Sequence, residues 1–196
     1  MAKERSKSPR ARLFVALDLP AEVRDGLAAW GREALSDPAL RPVPPEALHI
    51  TLAFLGYRAE QEVEAIAAAV RESVAPAPWL ELRDAEQRPP RGRARLFALP
   101  AISPGAEALQ AGVEQNLLQE GFYRPEKRPF WPHVTVARVR PEARGSRRPA
   151  VVSKFPARLP EELSEARICR RMTLYRSELQ PQGAQYVPLA QVELPG

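Results

Sequence analysis

The chain has 196 residues, 44% hydrophobic and 27% charged, with a formal net charge of +5; this is enough to bury one adequate core. No apolar run is long enough to cross a bilayer, and the basic start MAKERSKSPRAR lacks a signal-peptide apolar region. The one cysteine, Cys169, excludes an intrachain disulfide and suits a reducing cytosol, so a monomeric cytoplasmic protein is expected, with a basic flexible tail over 1–11 and a single domain over 12–196.

In chain order, residues 12–20 (RLFVALDLP) read as an apolar strand, and Pro20 precedes a helical pattern over 21–35. A loop bearing Pro42, Pro44 and Pro45 leads into residues 48–56 (LHITLAFLG), where apolar and polar positions alternate as in a strand. Residues 60–74 carry a helical apolar stripe at Val63, Ile66, Ala67 and Val70, and 79–82 alternate like a strand. Arg88, Arg91, Arg93 and Arg95 cluster around a turn before a second apolar strand, 95–103 (RLFALPAIS). Pro104 precedes a helix over 105–120, and a loop with Pro125 and Pro129 leads into another alternating strand, 132–140 (PHVTVARVR). Residues 141–149 (PEARGSRRP) form a charged loop, 167–175 a strand-like run in which Cys169 is expected as a buried structural thiol, and 185–194 a last strand. Proline is abundant, 22 residues against 10 glycines, and Pro42, Pro44, Pro45, Pro89, Pro90 and Pro181 stiffen these connections.

The only two histidines share one frame: His49-Ile50-Thr51 and His133-Val134-Thr135. Side chains at i and i+2 share a strand face, so each His points with its Thr, and Ile50, Leu52, Val134 and Val136 point to the opposite, core side. A single such pair is more often structural than catalytic. Two copies that use every histidine favour function. The histidines lie 84 residues apart, and the triplets Arg12-Leu13-Phe14 and Arg95-Leu96-Phe97 lie 83 apart, each followed by a helix, a proline-bearing loop and the histidine strand. Self-similarity of this kind signals duplication, here one body of two related lobes, each offering an H-x-T strand to a shared groove.

Other side chains are weighed by position. Arg128, five residues before His133, is a candidate for holding phosphate; Phe130 is a candidate for stacking on a base, with core packing equally open for it and for Trp131. Phe54 shares the parity of Ile50 and Leu52 and is expected in the core. Arg138 shares that of Val134 and Val136, and a structural ion pair is expected for it. The arginine clusters, including Arg140, Arg144, Arg147 and Arg148 with Lys154, favour a polyanion through phosphate contacts, and fit an RNA strand better than a small nucleotide.

With RLFVALDLP at its start, the FLG ending the first motif and the RPF-x-PH lead into the second, the chain resembles the 2H phosphoesterase superfamily. Within it, the resemblance is to the bacterial and archaeal RNA 2′,3′-cyclic phosphodiesterases, once described as 2′-5′ RNA ligases. It runs from Arg12 through residues 174–179 (LYRSEL) and 183–186. Val136-Ala137-Arg138 departs mildly, Leu being commoner than Val there, and 141–163 is a variable stretch. The resemblance implies an α+β, bilobal, pseudo-symmetric 2H phosphoesterase (LigT-like) fold, with two antiparallel sheets around a central cleft and helices outside. It also implies an RNA with a 2′,3′-cyclic phosphate end as substrate, opened to a 2′-phosphate, with weak 2′-5′ joining of RNA ends by reversal.

That reaction activates water on one side of phosphorus and protonates the leaving ribose oxygen on the other. Imidazole titrates near neutrality, so one neutral and one charged histidine supply both steps. The residues themselves do not say which is which; the resemblance casts His49 as proton donor to the 3′ oxygen and His133 as base. Thr51 and Thr135 are expected to donate hydrogen bonds to nonbridging oxygens. No metal or cofactor is expected, because two histidines without Cys or carboxylate at ligand spacing make a poor zinc site. Two other readings stand beside this one: a phosphodiesterase of the same superfamily acting on a small cyclic nucleotide, and a catalytically silent RNA-binding module.

Overall fold

Alternating apolar positions become strands and apolar stripes become helices along nearly the whole chain. In the computed structural model, which describes residues 9–180 and 183–196, β1 (Arg10–Asp18) leads into α1 (Ala21–Ala34). A short strand, β2 (Leu40–Pro42), and a 3-10 turn at Pro45–Ala47 precede β3 (His49–Ala59). After a 3-10 turn at Glu60–Glu62 come α2 (Val63–Arg71), β4 (Trp79–Leu82), β5 (Glu86–Arg88) and β6 (Leu96–Ile102). The second half holds α3 (Pro104–Gln119), β7 (His133–Val139), the one-turn α4 (Glu161–Ser164), β8 (Arg167–Ile168), β9 (Arg171–Gln180) and β10 (Gly183–Glu193). β1 begins two residues before the expected Arg12, inside the segment expected as tail. Residues 1–8 of that tail, and Pro181, lie outside the described residues. The elements β2, β5, β8 and α4 are too short to leave a period in the sequence.

All strand pairings are antiparallel, and the strands follow the order β10-β9-β1-β3-β7-β6-β4-β8, with β2 on β7 and β5 on β6. The two expected sheets are thus β10-β9-β1-β3 and β7-β6-β4-β8. They join along one pairing, Ile50 with Val134 on the two histidine strands, into a continuous curled half-barrel. One apolar cluster backs both lobes: Leu13, Val15 and Leu17 of β1, Ile50 and Leu52 of β3, Leu99 of β6 and Val134 of β7. Helices cover it with Val23 and Leu27 from α1, Ile66 and Val70 from α2, and Leu109, Val113 and Leu117 from α3. Each such side chain contributes roughly 1.5–3 kcal/mol by leaving water. The entry to α3 is set by Ser103, whose Oγ accepts from the Ala106 N–H at 3.2 Å, followed by Pro104 at the first helical position.

The duplication holds at the level of elements and fails at the RLF triplets. Phe14 pairs with Phe54, and it is Leu96, not Phe97, that pairs with the corresponding Arg138. A one-residue slip moves a side chain to the other sheet face. Phe14 accordingly lies with its ring 5.0 Å from that of His49, whereas Phe97 is fully buried on the face away from His133.

Candidate active site

The joint between the lobes is also where both H-x-T motifs meet. One step either side of the Ile50–Val134 pair sets His49 beside Thr135 and Thr51 beside His133, all four on the face away from the core. Neighbours in such a register lie about 4.5–5.5 Å apart. The motifs are thereby related by a local two-fold through that pair.

Each imidazole is anchored in the same way. His49 Nδ1 lies 2.8 Å from the Ala47 carbonyl oxygen and His133 Nδ1 lies 2.7 Å from that of Trp131. A carbonyl only accepts, so Nδ1–H donates in both rings, and each Nε2 is left for chemistry. Thr51 Oγ1 sits 3.1 Å from His49 Nε2, where its hydroxyl donates to the neutral ring. Thr135 is partly exposed beside it.

The surroundings differ between lobes. His49 is packed among Phe14, Tyr186 (centroids 5.4 Å, edge-on) and Tyr175 (6.5 Å). Asp18 pairs with His49 across β1 and β3, and its buried carboxylate accepts from Arg171 Nε (2.9 Å), Thr173 Oγ1 (2.8 Å) and Tyr175 OH (3.0 Å). His133 stacks on Trp131 at 4.1 Å, and the Arg88 guanidinium covers the Trp131 ring at 3.8 Å. Burial pushes His49 down to about 4; the Ala47 carbonyl and Asp18 oppose this, while His133 and Arg138 add to it. Burial also lowers His133, opposed by the Trp131 carbonyl and assisted by Arg88. Both rings are therefore neutral near pH 7 without substrate. An anion faces His49 and a cation faces His133.

Two sequence expectations fail for one physical reason. Ala16 pairs with Thr51 and Val15 with Ala53, so Leu52 is an extra residue in β3; likewise Ala98 pairs with Thr135 and Phe97 with Ala137, leaving Val136 extra in β7. A bulge reverses parity beyond it. Phe54, expected in the core, is 41% exposed on the histidine face, with Arg12 lying 4.8 Å over its ring. Arg138, expected in a structural ion pair, is exposed on that same face and has no ion pair among the described residues. Asp18, Tyr175 and Tyr186 were not singled out in the sequence: strand parity offers Asp18 to the Phe14 face, but only the pairing of β1 with β3 and β9 sets it beside His49.

The remaining candidates fall as follows. Arg128 is exposed in the loop before β7, and Phe130 is partly buried against the core. Trp131 serves His133. Arg93 and Arg148 both bond Glu142, at 2.9 and 3.5 Å, so these two arginines of the basic cluster fasten the 141–149 loop. Cys169 is fully buried, and burial pushes its thiol up to about 12, which leaves no reactive thiolate. Among the described residues, no three His, Cys, Asp or Glu side chains gather as a metal-ligand set.

Comparison with known proteins fits this geometry. A protein from Thermus thermophilus named RNA 2′,3′-cyclic phosphodiesterase is 36% identical over 192 residues, covering 94% of this chain and 91% of its own. One of the same name from Escherichia coli is 33% identical over 144 residues, covering 67% of this chain and 74% of its own. The crystal structure of E. coli LigT with 3′-AMP superposes with a TM-score of 0.75 at 29% identity, covering 95% of this chain and 99% of that one. The family model of the 2′-5′ RNA ligase superfamily matches residues 19–179, and the chain belongs to that superfamily.

Proposed function

We propose that this protein opens 2′,3′-cyclic phosphate ends of RNA to 2′-phosphates by acid–base catalysis between His49 and His133, without a metal. The observation that carries this reading is the local two-fold at Ile50–Val134, which sets two Nδ1-anchored imidazoles and two threonine hydroxyls around one spot. His133, beside the Arg88 charge, is suited to be the neutral base that takes a proton from water. His49, beside Asp18, is suited to carry a proton to the leaving 3′ oxygen once the substrate's negative phosphate offsets Arg138. Thr51 and Thr135 hold nonbridging oxygens where charge builds. RNA is the substrate class, as in the names of the relatives, and reversal of the same chemistry joins ends weakly through a 2′-5′ linkage. The enzyme acts as a single domain that begins with β1 at Arg10, ahead of the expected Arg12, and as a monomer in the cytoplasm.

Incubating a cyclic-phosphate oligonucleotide with the protein tests this. Phosphorus NMR should show a 2′-phosphate end, and His49→Ala and His133→Ala should each lower turnover by a factor on the order of 10²–10⁴. A 3′-phosphate product would reverse the two histidine roles; near-wild-type turnover in either variant would end the mechanism.

A further inference from the structure

In-line attack places water and the leaving oxygen on opposite sides of phosphorus. With His133 at the water and His49 at the 3′ oxygen, the ribose and the strand attached to it lie on the His49 lobe. That lobe carries a row of side chains leading away from the histidine. β1 has no inserted residue, so Asp18, Ala16, Phe14 and Arg12 share one face, and they pair with His49, Thr51, Phe54 and Tyr57. The bulges at Leu52 and Leu55 take up the odd residues of β3. These four therefore stand one ladder step apart, about 7 Å at ~3.3 Å per residue of β1.

Phe54 and Tyr57 end the row with their rings in the open, Tyr57 being 56% exposed. Arg12 lies over the Phe54 ring, and Arg10 Nη2 donates to the Tyr57 carbonyl at 2.8 Å. Neither arginine has an ion pair among the described residues. Ring faces and guanidinium planes beside a catalytic groove are the surface on which single-stranded nucleic acid stacks its bases. Beyond Phe14 the sheet opens: β9 pairs with β1 only as far as Leu13 and Arg176, then continues with β10 alone. The space beside Arg12 and Ser177 is a cavity of about 300 Å³, with Arg10, Tyr57 and Arg176 also on its walls, a volume at the small end of ligand sites. Of its two carboxylates, Glu60 is held by Arg176 at 2.7 Å and Glu178 is exposed, so the three arginines leave the wall net positive.

We propose that Phe54 and Tyr57, with the cavity beyond them, form an upstream subsite in which Tyr57 stacks on a base of the strand that ends in the cyclic phosphate. Arg10 and Arg12 face the phosphates of that strand. From His49 to Tyr57 the row spans three ladder steps, about 20 Å along β1. That is too far for the terminal nucleotide, so the base belongs to a nucleotide further upstream, and the protein favours oligonucleotides over mononucleotides. This rests on the cyclic-phosphate reading above, with its histidine roles, and deepens it.

The test is a series of RNAs ending in a 2′,3′-cyclic phosphate, from the mononucleotide to the pentanucleotide. Wild-type kcat/KM should rise at the length that reaches Tyr57, by about 5- to 150-fold, the worth of one stacked base. Tyr57→Ala should flatten that step, and Tyr57→Phe, which keeps the ring, should retain it. Placing a single abasic nucleotide at each position of the pentanucleotide locates the contact. The wild type should lose a similar factor at the position that reaches Tyr57, and Tyr57→Ala should lose little there. A series without a step, an equal loss at every length in Tyr57→Ala, or abasic sensitivity that persists in Tyr57→Ala would overturn the subsite. Binding of the same series with 2′-phosphate ends reads the subsite independently of turnover. Length-dependent binding lost in Tyr57→Ala, without turnover by the wild type, would remove the reaction and keep the subsite; length-independent binding would remove the subsite.

Discussion

At the scale of single residues, the two imidazoles set the pH behaviour. In the proposed mechanism the working pair carries one proton, on His49. Both free-protein values lie below the ordinary 6.5, so at rising pH the unliganded pair is empty of protons. Measured kcat/KM should therefore fall about tenfold per unit above the imidazole range, while the kcat profile, with a phosphate anion bound, should sit at higher pH. Stability follows the same sign. His49 is depressed to about 4, so its contribution is present in full above 6.5 and is lost as pH falls toward 4. Denaturant titrations from pH 7 to 4 should show a flatter decline for His49→Gln than for the wild type. Asp18 is a positioning residue that favours charged His49. Asp18→Asn should lower kcat/KM at neutral pH by about tenfold per unit of lost pKa, and should move the optimum to lower pH. An unchanged optimum would leave Asp18 only a structural anchor for Arg171, Thr173 and Tyr175.

At the scale of elements, the bulges matter most. β3 carries a second one at Leu55, and Gly56 beside it has φ +68°, a region that costs residues with a Cβ roughly 1–2 kcal/mol. The space around a Cβ at Gly56 is open, so Gly56→Ala tests backbone conformation alone: thermal unfolding should show about that loss. A larger loss would mean that the bulge itself had moved, and Phe54 with it. Strand alternation made the H-x-T faces readable from residues 48–56 and 132–140, because the bulges come after Thr51 and Thr135. The faces of Phe54 and Arg138 are not legible in the same way, because an inserted residue in the ladder leaves no mark in the hydrophobic pattern.

At the scale of the whole molecule, one apolar cluster spans both lobes, from Leu13 and Ile50 to Leu99 and Val134. A shared core predicts a single cooperative unfolding transition. Trp30 lies on α1 in the first lobe and Trp131 beside His133 in the second; single-tryptophan variants at these positions should melt together. Separate transitions would divide the domain into two units.

The sequence by itself determined the longer elements, their duplicated order and the candidate catalytic pair, because periodicity and two matching H-x-T frames are local properties of the chain. It placed the RLF triplets as equivalents, and register shows them one residue apart. Only the tertiary structure decided that the lobes join at Ile50 and Val134, that Asp18 attends His49 while Arg88 and Trp131 attend His133, and that Arg41 meets Arg138. These follow from strand pairing between residues 31 to 97 positions apart, and long-range register depends on how the buried faces of both lobes pack together, which no local pattern encodes.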